Sequence, residues 1–241
     1  MNEKPLTPNQ PLYGIFTAVP PRYDLINHII TLGLDIRWRR LAAQACLEDR
    51  PQKVLDLACG TGDLAINLAR LAQESIEING LDYSPPMLER AREKATRVGL
   101  GKKVKFIHGE VTSLPFPDDS LDCVGISFAF RNLTYKNPIC TPHFAEVLRV
   151  LRKDGRYVIV ESSQPENQFV KIFFHLYLHA FVAPVGVLVS GNRGAYKYLA
   201  QSAGDFYSSK KIKEMLIKAG FRDVSYRELF FGAAGIHIAI K

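Results

Sequence analysis

Apolar runs and segments with helical spacing alternate five times between residues 53 and 162, and this alternation limits the fold more than any other feature. The apolar runs are nearly continuous, which is typical of strands buried on both faces of a parallel sheet. The segments between them have the spacing of helices that cross from one strand to the next. The sequence therefore predicts a doubly wound α/β sheet with helices on both faces.

The bounds of these elements follow from the residues. Strands are expected from Lys53, over 76–82, from Lys103 or Lys105 to Gly109, over 121–128 and over 156–162. Helices are expected over 64–71, from Ser84 and Pro85 toward Val98, and over 144–151 with an end near Asp154 and Gly155.

The residues after Phe206 depart from the alternation. A helix over 208–219, ended by Gly220, precedes two β-rich runs, 221–229 and 233–241, which a turn containing Gly232 joins. Two such runs predict an antiparallel hairpin added to the parallel strands. The expected fold is thus a Rossmann-like, mostly parallel, seven-stranded sheet.

Length and composition fit a single soluble domain. The 241 residues are 47% apolar and 23% charged, so the chain can bury a core without disulfides. The four cysteines are scattered without a C-x-x-C pair, which indicates reduced thiols and no metal site. The polar N-terminus lacks the apolar stretch of a secretory signal, so a cytoplasmic location is expected.

The net charge of +7 is spread over several basic clusters, Arg37/Arg39/Arg40 among them. Such clusters suit solvated helix faces, an anionic membrane surface or nucleic acid, and charge alone does not choose between these.

Two segments lie outside the alternation. One is a largely helical leader, residues 13–47, and the other is an insertion after the fifth strand, residues 164–205. Ligands bind beyond the carboxyl ends of the strands in doubly wound folds. We therefore expect both segments to pack together there as a lid.

The strongest chemical motif is the turn D-L-A-C-G-T-G-D, from Asp56 to Asp63, after the first strand. Gly60 and Gly62 allow a sharp turn and a close approach to a ligand, and the next helix begins with free N–H groups. The carboxylate of Asp63 would repel a pyrophosphate but suits the ammonium group of an amino acid. The turn therefore favours S-adenosylmethionine over NAD.

Acidic residues after the next two strands extend this site. Asp82 lies 20 residues after Gly62 (82 − 62 = 20) and is followed by Tyr83. A carboxylate at this distance accepts hydrogen bonds from ribose hydroxyls. Glu110 and Val111 follow the third strand, where a carboxylate can meet the adenine amino group.

Longer strings resemble the menaquinone/ubiquinone-biosynthesis C-methyltransferase family. They are YDLIN at 23–27 with Phe16 before it, LGLDIRWRR at 32–40, VLDLACGTGDLA at 54–65, LPFPDDSLDCVGISFAFRNLT at 114–134, EVLRVLRKDGRYVIVE at 146–161 and YKYLAQS at 196–202. The resemblance covers nearly the whole chain from Tyr13. It implies a class I methyltransferase fold and C-methylation of a reduced polyprenyl quinone ring, demethylmenaquinol to menaquinol or the equivalent ubiquinol precursor.

The resemblance also assigns residues. Its cofactor contacts fall on Thr61, Asp82, Glu110, Val111 and Ser127, although Glu110 departs from the usual Asn or Asp. The pair that manages charge on the quinol falls on Arg131 and Asn132, and Tyr23 and Asp24 fall at leader positions that border the site.

The chemistry of the ring explains why a cation is needed. A quinol ring carbon is a poor nucleophile until a hydroxyl loses its proton, and a fixed cation in a dry pocket stabilises the resulting oxyanion. Arg131 is always protonated and cannot be the base. His108 and His143 lie in less suggestive contexts, so the sequence leaves the base unassigned.

The stretch 169–189 is apolar enough to suggest a membrane span, but it contains Lys171, His175, His179, Pro184 and Gly186. We therefore expect lid helices that line a pocket for an isoprenoid tail. An exposed apolar edge beside basic residues would also attach the protein loosely to the membrane.

Other functions stay open at this point. They are methylation of another small apolar or phenolic acceptor and a cofactor-binding scaffold without catalysis. RNA recognition would need aromatic or basic base-reading elements, and the lid is apolar, so no nucleic acid partner is expected. The sequence does not fix tail length or oligomeric state, a homodimer included.

Overall fold

Seven strands form one mixed sheet in the computed structural model, which describes residues 23–190 and 193–241. The strands are β1 Lys53–Leu57, β2 Glu77–Asp82, β3 Val104–His108, β4 Leu121–Ser127, β5 Leu151–Ser162, β6 Asp223–Leu229 and β7 Ala234–Ile240. Their order is β3-β2-β1-β4-β5-β7-β6, and β7 is antiparallel to both of its neighbours. The other pairs are parallel. The predicted doubly wound, seven-stranded sheet is confirmed.

Helices flank the sheet and make up the leader and the insertion. They are α1 Tyr23–Ile30, α2 Leu34–Leu47, α3 Asp63–Leu71, α4 Pro85–Arg97, α5 Phe130–Thr134, α6 Cys140–Val150, α7 Gln168–Tyr177, α8 Ala183–Ser190, α9 Arg193–Gly204 and α10 Ser209–Ala219. A π-helical turn, Leu178–Val182, joins α7 to α8, and a 3-10 turn, Phe230–Gly232, joins β6 to β7. The predicted ends agree where capping residues mark them, because α4 has Pro at its first position and α10 ends at Gly220 with a φ of 115°.

The region between α6 and β5 differs from the prediction. The helix begins at Cys140 and ends at Val150, and β5 begins at Leu151 instead of Arg156. Leu151 pairs with Leu121, and the register then shifts before Cys123 pairs with Arg156. Over this step β4 advances by two residues (123 − 121 = 2) and β5 by five (156 − 151 = 5). A bulge of this kind depends on the partner strand, so local periodicity did not reveal it.

Two apolar cores lie on opposite faces of the sheet. Leu55 and Leu57 of β1 belong to the core that α5, α6 and α10 cover, whereas Val54 belongs to the core beneath α2 and α3. Alternate side chains of a strand point to opposite faces, so β1 contributes to both cores.

The leader and the insertion pack against each other. Ile30 of α1 is buried in a cluster with Leu178, Val182, Ala200 and Ala203 of the insertion. The Tyr177 hydroxyl donates a hydrogen bond to the Ile30 carbonyl at 2.6 Å. In the part of the chain described, Gln168–Leu188 is the one helical stretch with the length and composition to cross a membrane, and 18% of it is buried.

Two histidines are buried in the core. His143 is 0% exposed; its Nδ1–H donates to the Cys140 carbonyl, and the Tyr157 hydroxyl donates to its Nε2 at 3.1 Å. His237 is 1% exposed and contacts the Ser209 carbonyl at 3.2 Å. Burial lowers the pKa of each imidazole to about 4, so both are neutral near pH 7.

The His143 pKa predicts an acid-dependent loss of stability. The unfolded chain binds a proton at His143 near pH 6.5, whereas the folded chain binds it only near pH 4, because the pKa of the buried ring is lowered. The free energy of unfolding therefore falls as the pH falls from 6.5 to 4. We expect the free energy of unfolding of wild type, relative to His143→Gln, to fall by about 1.4 kcal/mol per pH unit in this window. Urea unfolding at several pH values measures it. The exposed His179→Gln is the control, and an equal pH dependence in all three proteins would contradict the expectation.

Candidate active site

The glycine turn lies at the point where the order of the strands reverses. The chain runs from β1 to β2 and β3 on one side, and β4 then pairs with the other side of β1. Crevices at such switch points, beyond the carboxyl ends of the strands, are the usual ligand sites of doubly wound folds. Most of the predicted site residues follow β1, β2, β3 or β4, and the structure places them along this one edge.

The two glycines of the turn serve different purposes. Gly62 has a φ of 80°, and a Cβ there would lie 3.0 Å from the Ala91 Cβ and 3.1 Å from the Phe106 ring, so α3 can approach α4 and β3 only because Gly62 has no side chain. Gly60 has a φ of 53°, and a Cβ there would meet no described atom within 4 Å. The open side of Gly60 leaves room for a ligand close to the backbone.

Asp82 ties the turn to the next strand. One of its carboxylate oxygens accepts from the Gly60 N–H at 2.8 Å, and the other accepts from the Ser84 N–H at 2.9 Å. Burial raises the pKa of Asp82, although these backbone N–H groups partly offset it. A carboxylate has further acceptor sites, so Asp82 can brace the turn and still accept from a ligand hydroxyl.

Asp56, at the start of the motif, is structural in this arrangement. Its Oδ2 accepts from the Ala65 N–H at 2.9 Å and joins β1 to α3. Its buried Oδ1 has no hydrogen-bond partner among the described residues. Burial raises the pKa of Asp56 well above the ordinary value.

The leader helix contacts the glycine turn directly. Thr61 donates from its hydroxyl to Asp24 at 2.7 Å, and Lys94 of α4 bonds to Asp24 at 2.6 Å and to Asp63 at 2.8 Å. Lys94, which was not predicted, therefore offsets one of the two carboxylate charges beside the turn. The role of Asp63 toward an ammonium group stays a prediction. Tyr23 is the first residue of α1, but its side chain lies outside the described residues.

The end of β3 forms the far side of the site. Glu110 is exposed and close enough to Asp82 to raise its pKa further, while Val111 is 7% exposed. Tyr83 is half-buried, and its carbonyl accepts from His108 Nε2 at 3.0 Å. Because a carbonyl only accepts, this contact places the proton of the neutral His108 ring on Nε2.

Ser127, at the end of β4, accepts a hydrogen bond from Arg39 Nε at 3.0 Å. Arg39 is 8% exposed, pairs with the buried Asp35 and lies 5.0 Å from the centre of the Phe128 ring. Arg39 is therefore buried and does not form an exposed basic cluster with Arg37 and Arg40. The other two are exposed.

The side chain of Arg131 is buried and held by hydrogen bonds, and it has a counterion. It is 5% exposed; its Nη1 bonds to Glu161 at 3.2 Å and to the Ser162 hydroxyl at 2.9 Å, and its backbone N–H donates to Glu161 at 3.0 Å. Glu161 is 1% exposed and was not predicted. Within the described residues, the buried Nε of Arg131 and Oδ1 of Asn132 have no hydrogen-bond partner. Arg131 therefore keeps a donor for another acceptor.

These residues fit S-adenosylmethionine. Asp82 offers acceptors for ribose hydroxyls, Gly60 offers backbone without an obstructing side chain, and Val111 offers an apolar contact for adenine. Asp63 offers a carboxylate at the start of α3, and this carboxylate also forms an ion pair with Lys94. Three carboxylates around the turn suit a cationic ligand better than a diphosphate. Among the described residues, no cluster of His, Cys, Asp and Glu could hold a metal ion.

The open side of Gly60 leads to a test with a matched control. Gly60→Ala and Gly99→Ala both introduce a Cβ at positive φ with nothing within 4 Å, so each should cost about 1 kcal/mol of stability. Only Gly60→Ala should weaken S-adenosylmethionine binding in calorimetric titration, by about tenfold, or 1.4 kcal/mol. Equal affinities of the two variants would remove Gly60 from the site.

Comparisons with known proteins agree with this geometry. The sequence profile described as the ubiE/COQ5 methyltransferase family matches residues 6–241. The chain is 41% identical over 225 residues to the demethylmenaquinone methyltransferase of Thermus thermophilus, covering 93% of this chain and 98% of the relative. It is 40% identical to the enzyme of the same name from Deinococcus radiodurans, with 96% and 93% covered.

The fold also matches a solved structure. The S-adenosylmethionine-dependent methyltransferase of Aquifex aeolicus superposes with a TM-score of 0.55 at 21% identity, covering 78% of this chain and 81% of the other. Together with the match along nearly the whole sequence, the strand order and the site at its switch point lead to one conclusion. This chain belongs to the ubiE/COQ5 methyltransferase family and is an S-adenosylmethionine-dependent methyltransferase.

Proposed function

We propose that this enzyme methylates a ring carbon of a reduced polyprenyl quinone in the cytoplasm, with demethylmenaquinol as the preferred acceptor. The observation that carries the proposal is the buried Arg131–Glu161 pair at the carboxyl edge of the sheet, where the apolar insertion follows β5. The relatives named demethylmenaquinone methyltransferase support the naphthoquinol as acceptor.

The cofactor and the chain contribute different parts of the reaction. S-adenosylmethionine, when bound, supplies an electrophilic methyl group. The chain holds the quinol ring, favours the loss of a hydroxyl proton and keeps water away from the oxyanion. The free Nε–H of Arg131 is a charged donor for that oxyanion, and such bonds are about twice as strong as neutral ones.

Glu161 explains how Arg131 can be buried at all. A lone buried guanidinium would be very costly, whereas a hydrogen-bonded pair with Glu161 is tolerated. The pair also fixes the direction of the guanidinium before the substrate arrives. Preorganised donors of this kind do not have to reorganise during the reaction.

The apolar insertion is the proposed binding region for the isoprenoid tail. Phe174, Tyr177, Phe181 and Val185 are partly buried and pack against the cluster that contains Ile30. Their positions on both sides of the π-helical turn place a continuous apolar surface beside the leader helix. An isoprenoid chain can bind to such a surface without any directional contact.

The direct test offers the purified protein two acceptors, reduced demethylmenaquinol and the demethylated ubiquinol precursor, with S-adenosylmethionine under anaerobic conditions. We expect a methylated naphthoquinol as the main product and little reaction of the oxidised quinones, because these lack the electron-donating hydroxyls. Methylation of neither quinol would refute the proposal.

A pair of variants separates the catalytic role of Arg131 from its structural role. Arg131→Ala leaves Glu161 buried without its partner and should cost about 3–5 kcal/mol of stability in urea unfolding. Adding Glu161→Gln should restore part of that stability but none of the turnover. S-adenosylmethionine affinity should change little in both. Turnover that returns together with stability would show that Arg131 is only structural.

We also propose that the protein attaches peripherally to an anionic membrane surface. Four apolar side chains lie at helical spacing on α7, namely Phe169, Ile172, Phe173 and Leu176, and are 58–76% exposed. Phe230 and Phe231, 51% and 72% exposed, lie on the turn between β6 and β7. We call these six residues the apolar rim.

The two parts of the apolar rim are close in the fold. A Cβ at Gly232, next to Phe231, would lie 3.3 Å from the Pro165 Cα, shortly before α7 begins. Exposed cations flank the rim, because Lys171 lies on α7, and Arg37 and Arg40 lie on either side of Trp38, whose ring is 6.1 Å from Phe230. Apolar insertion with basic flanks is the pattern of interfacial, anionic-lipid binding.

Vesicle flotation tests this attachment. Phe169→Ser with Phe173→Ser should reduce binding to vesicles containing phosphatidylglycerol by on the order of 100-fold, because two aromatic side chains no longer enter the lipid. Val98→Ser with Ile217→Ser is the control, since both are exposed apolar residues outside the rim. Equal binding of both double variants, or of neutral and anionic vesicles, would contradict the proposal.

A further inference from the structure

A compact hydrogen-bonded group in the leader is not used by the functions described so far. The carboxylate of Asp35, 1% exposed, accepts from His28 Nδ1 at 2.8 Å and from the Thr31 hydroxyl at 2.7 Å, and it also pairs with Arg39. Burial raises the pKa of Asp35, but Arg39, Thr31 and His28 together outweigh it and hold that pKa below the ordinary value. Asp35 is therefore an anion that orients His28.

The hydrogen bond defines the state of the imidazole. Because Nδ1–H donates to Asp35, the neutral ring of His28 keeps its lone pair on Nε2. Nε2 has no hydrogen-bond partner among the residues that the structure describes. The side chain of His28 is 33% exposed, so the ring is accessible from solvent.

The position of His28 relates it to the methyl-transfer site. His28 lies one helical turn after Asp24, on the same side of α1, and Asp24 contacts Thr61 of the glycine turn. At the other end of the group, Arg39 bonds to Ser127 at the end of β4, four residues before Arg131. The group thus extends from α1 in the leader to the end of β4. Arg131, the proposed oxyanion donor, follows four residues later.

We propose that His28 is the general base that removes the hydroxyl proton of the quinol, and that Asp35 is its positioning residue. This inference rests on the proposed function. The quinol O–H bond breaks, its electron pair stays on oxygen, and an N–H bond forms at Nε2. The ring carbon would then bond to the methyl carbon that S-adenosylmethionine supplies, while the bond from that carbon to sulfur breaks and its electron pair goes to sulfur, leaving a neutral thioether. The hydrogen of the ring carbon then moves as a proton to the ring oxygen, which restores the quinol. One proton remains on His28 and leaves to solvent.

The charged groups around His28 come from its own helix and from α2. They are Asp35 and Arg39 of α2, which form an ion pair, and Asp24 on its own helix, which shares Lys94 with Asp63. The helix α8, which also packs against α1, contains no titratable residue in its sequence APVGVLVS.

His28→Asn tests the proposal, because the Asn side-chain N–H can still donate to Asp35. We expect kcat with demethylmenaquinol to fall by about 100-fold or more while S-adenosylmethionine affinity is unchanged. The decline of kcat/KM at low pH, which protonation of His28 causes in wild type, should disappear. Lys213→Asn, an exposed residue of α10, should behave as wild type in both measurements.

A spectroscopic readout does not depend on turnover. The ring nitrogen-15 resonances of His28, assigned by their loss in His28→Asn, should shift when a short-tailed quinol analogue binds in the absence of the methyl donor. Near-wild-type turnover of His28→Asn with its low-pH decline intact, or unshifted resonances, would overturn the inference. If wild type methylates no quinol, the proposed function itself fails, so the two failures are distinguishable.

Discussion

The hydrogen bond from the Gly60 N–H to the carboxylate of Asp82 is the contact on which the site depends. It joins the turn after β1 to the end of β2, so the pairing of these two strands fixes the turn. The turn can then keep residues at positive φ, Ala58 and Gly60 among them, without support from a ligand. A binding site made in this way exists before the cofactor arrives, which lowers the cost of binding.

The leader is tied to this open edge through polar contacts at two points. Asp24 contacts Thr61 and Lys94 at the glycine turn, and Arg39 contacts Ser127 at the end of β4. Apolar packing of Ile30 joins the leader to the insertion. Exclusion of water would strengthen the charged hydrogen bonds that an oxyanion needs, which is the role we propose for these two segments beside the Arg131–Glu161 pair.

Local sequence patterns predicted the helices and strands well, but they did not predict which side chains contact one another. The bounds of β2, β4 and α4 agree with the prediction to within one residue. Apolar runs mark the two strands in the sequence, and Ser84 and Pro85 mark the start of the helix. The bulge before Arg156, the burial of Arg39 and the counterion Glu161 were missed. Each of the three depends on a contact between residues that neighbouring sequence does not specify. A charged residue inside a strongly apolar strand, as in VIVES at 158–162, is the signal that could have identified Glu161.

The central claim is that the site directs the methyl group to carbon, although the deprotonated hydroxyl is itself a nucleophile. Carbon-13 NMR of the product formed from S-adenosylmethionine labelled in its methyl group distinguishes the two outcomes most directly. The account predicts that the label appears as a methyl group on a ring carbon that has lost its hydrogen. A label found on oxygen, as a methyl ether, would contradict it.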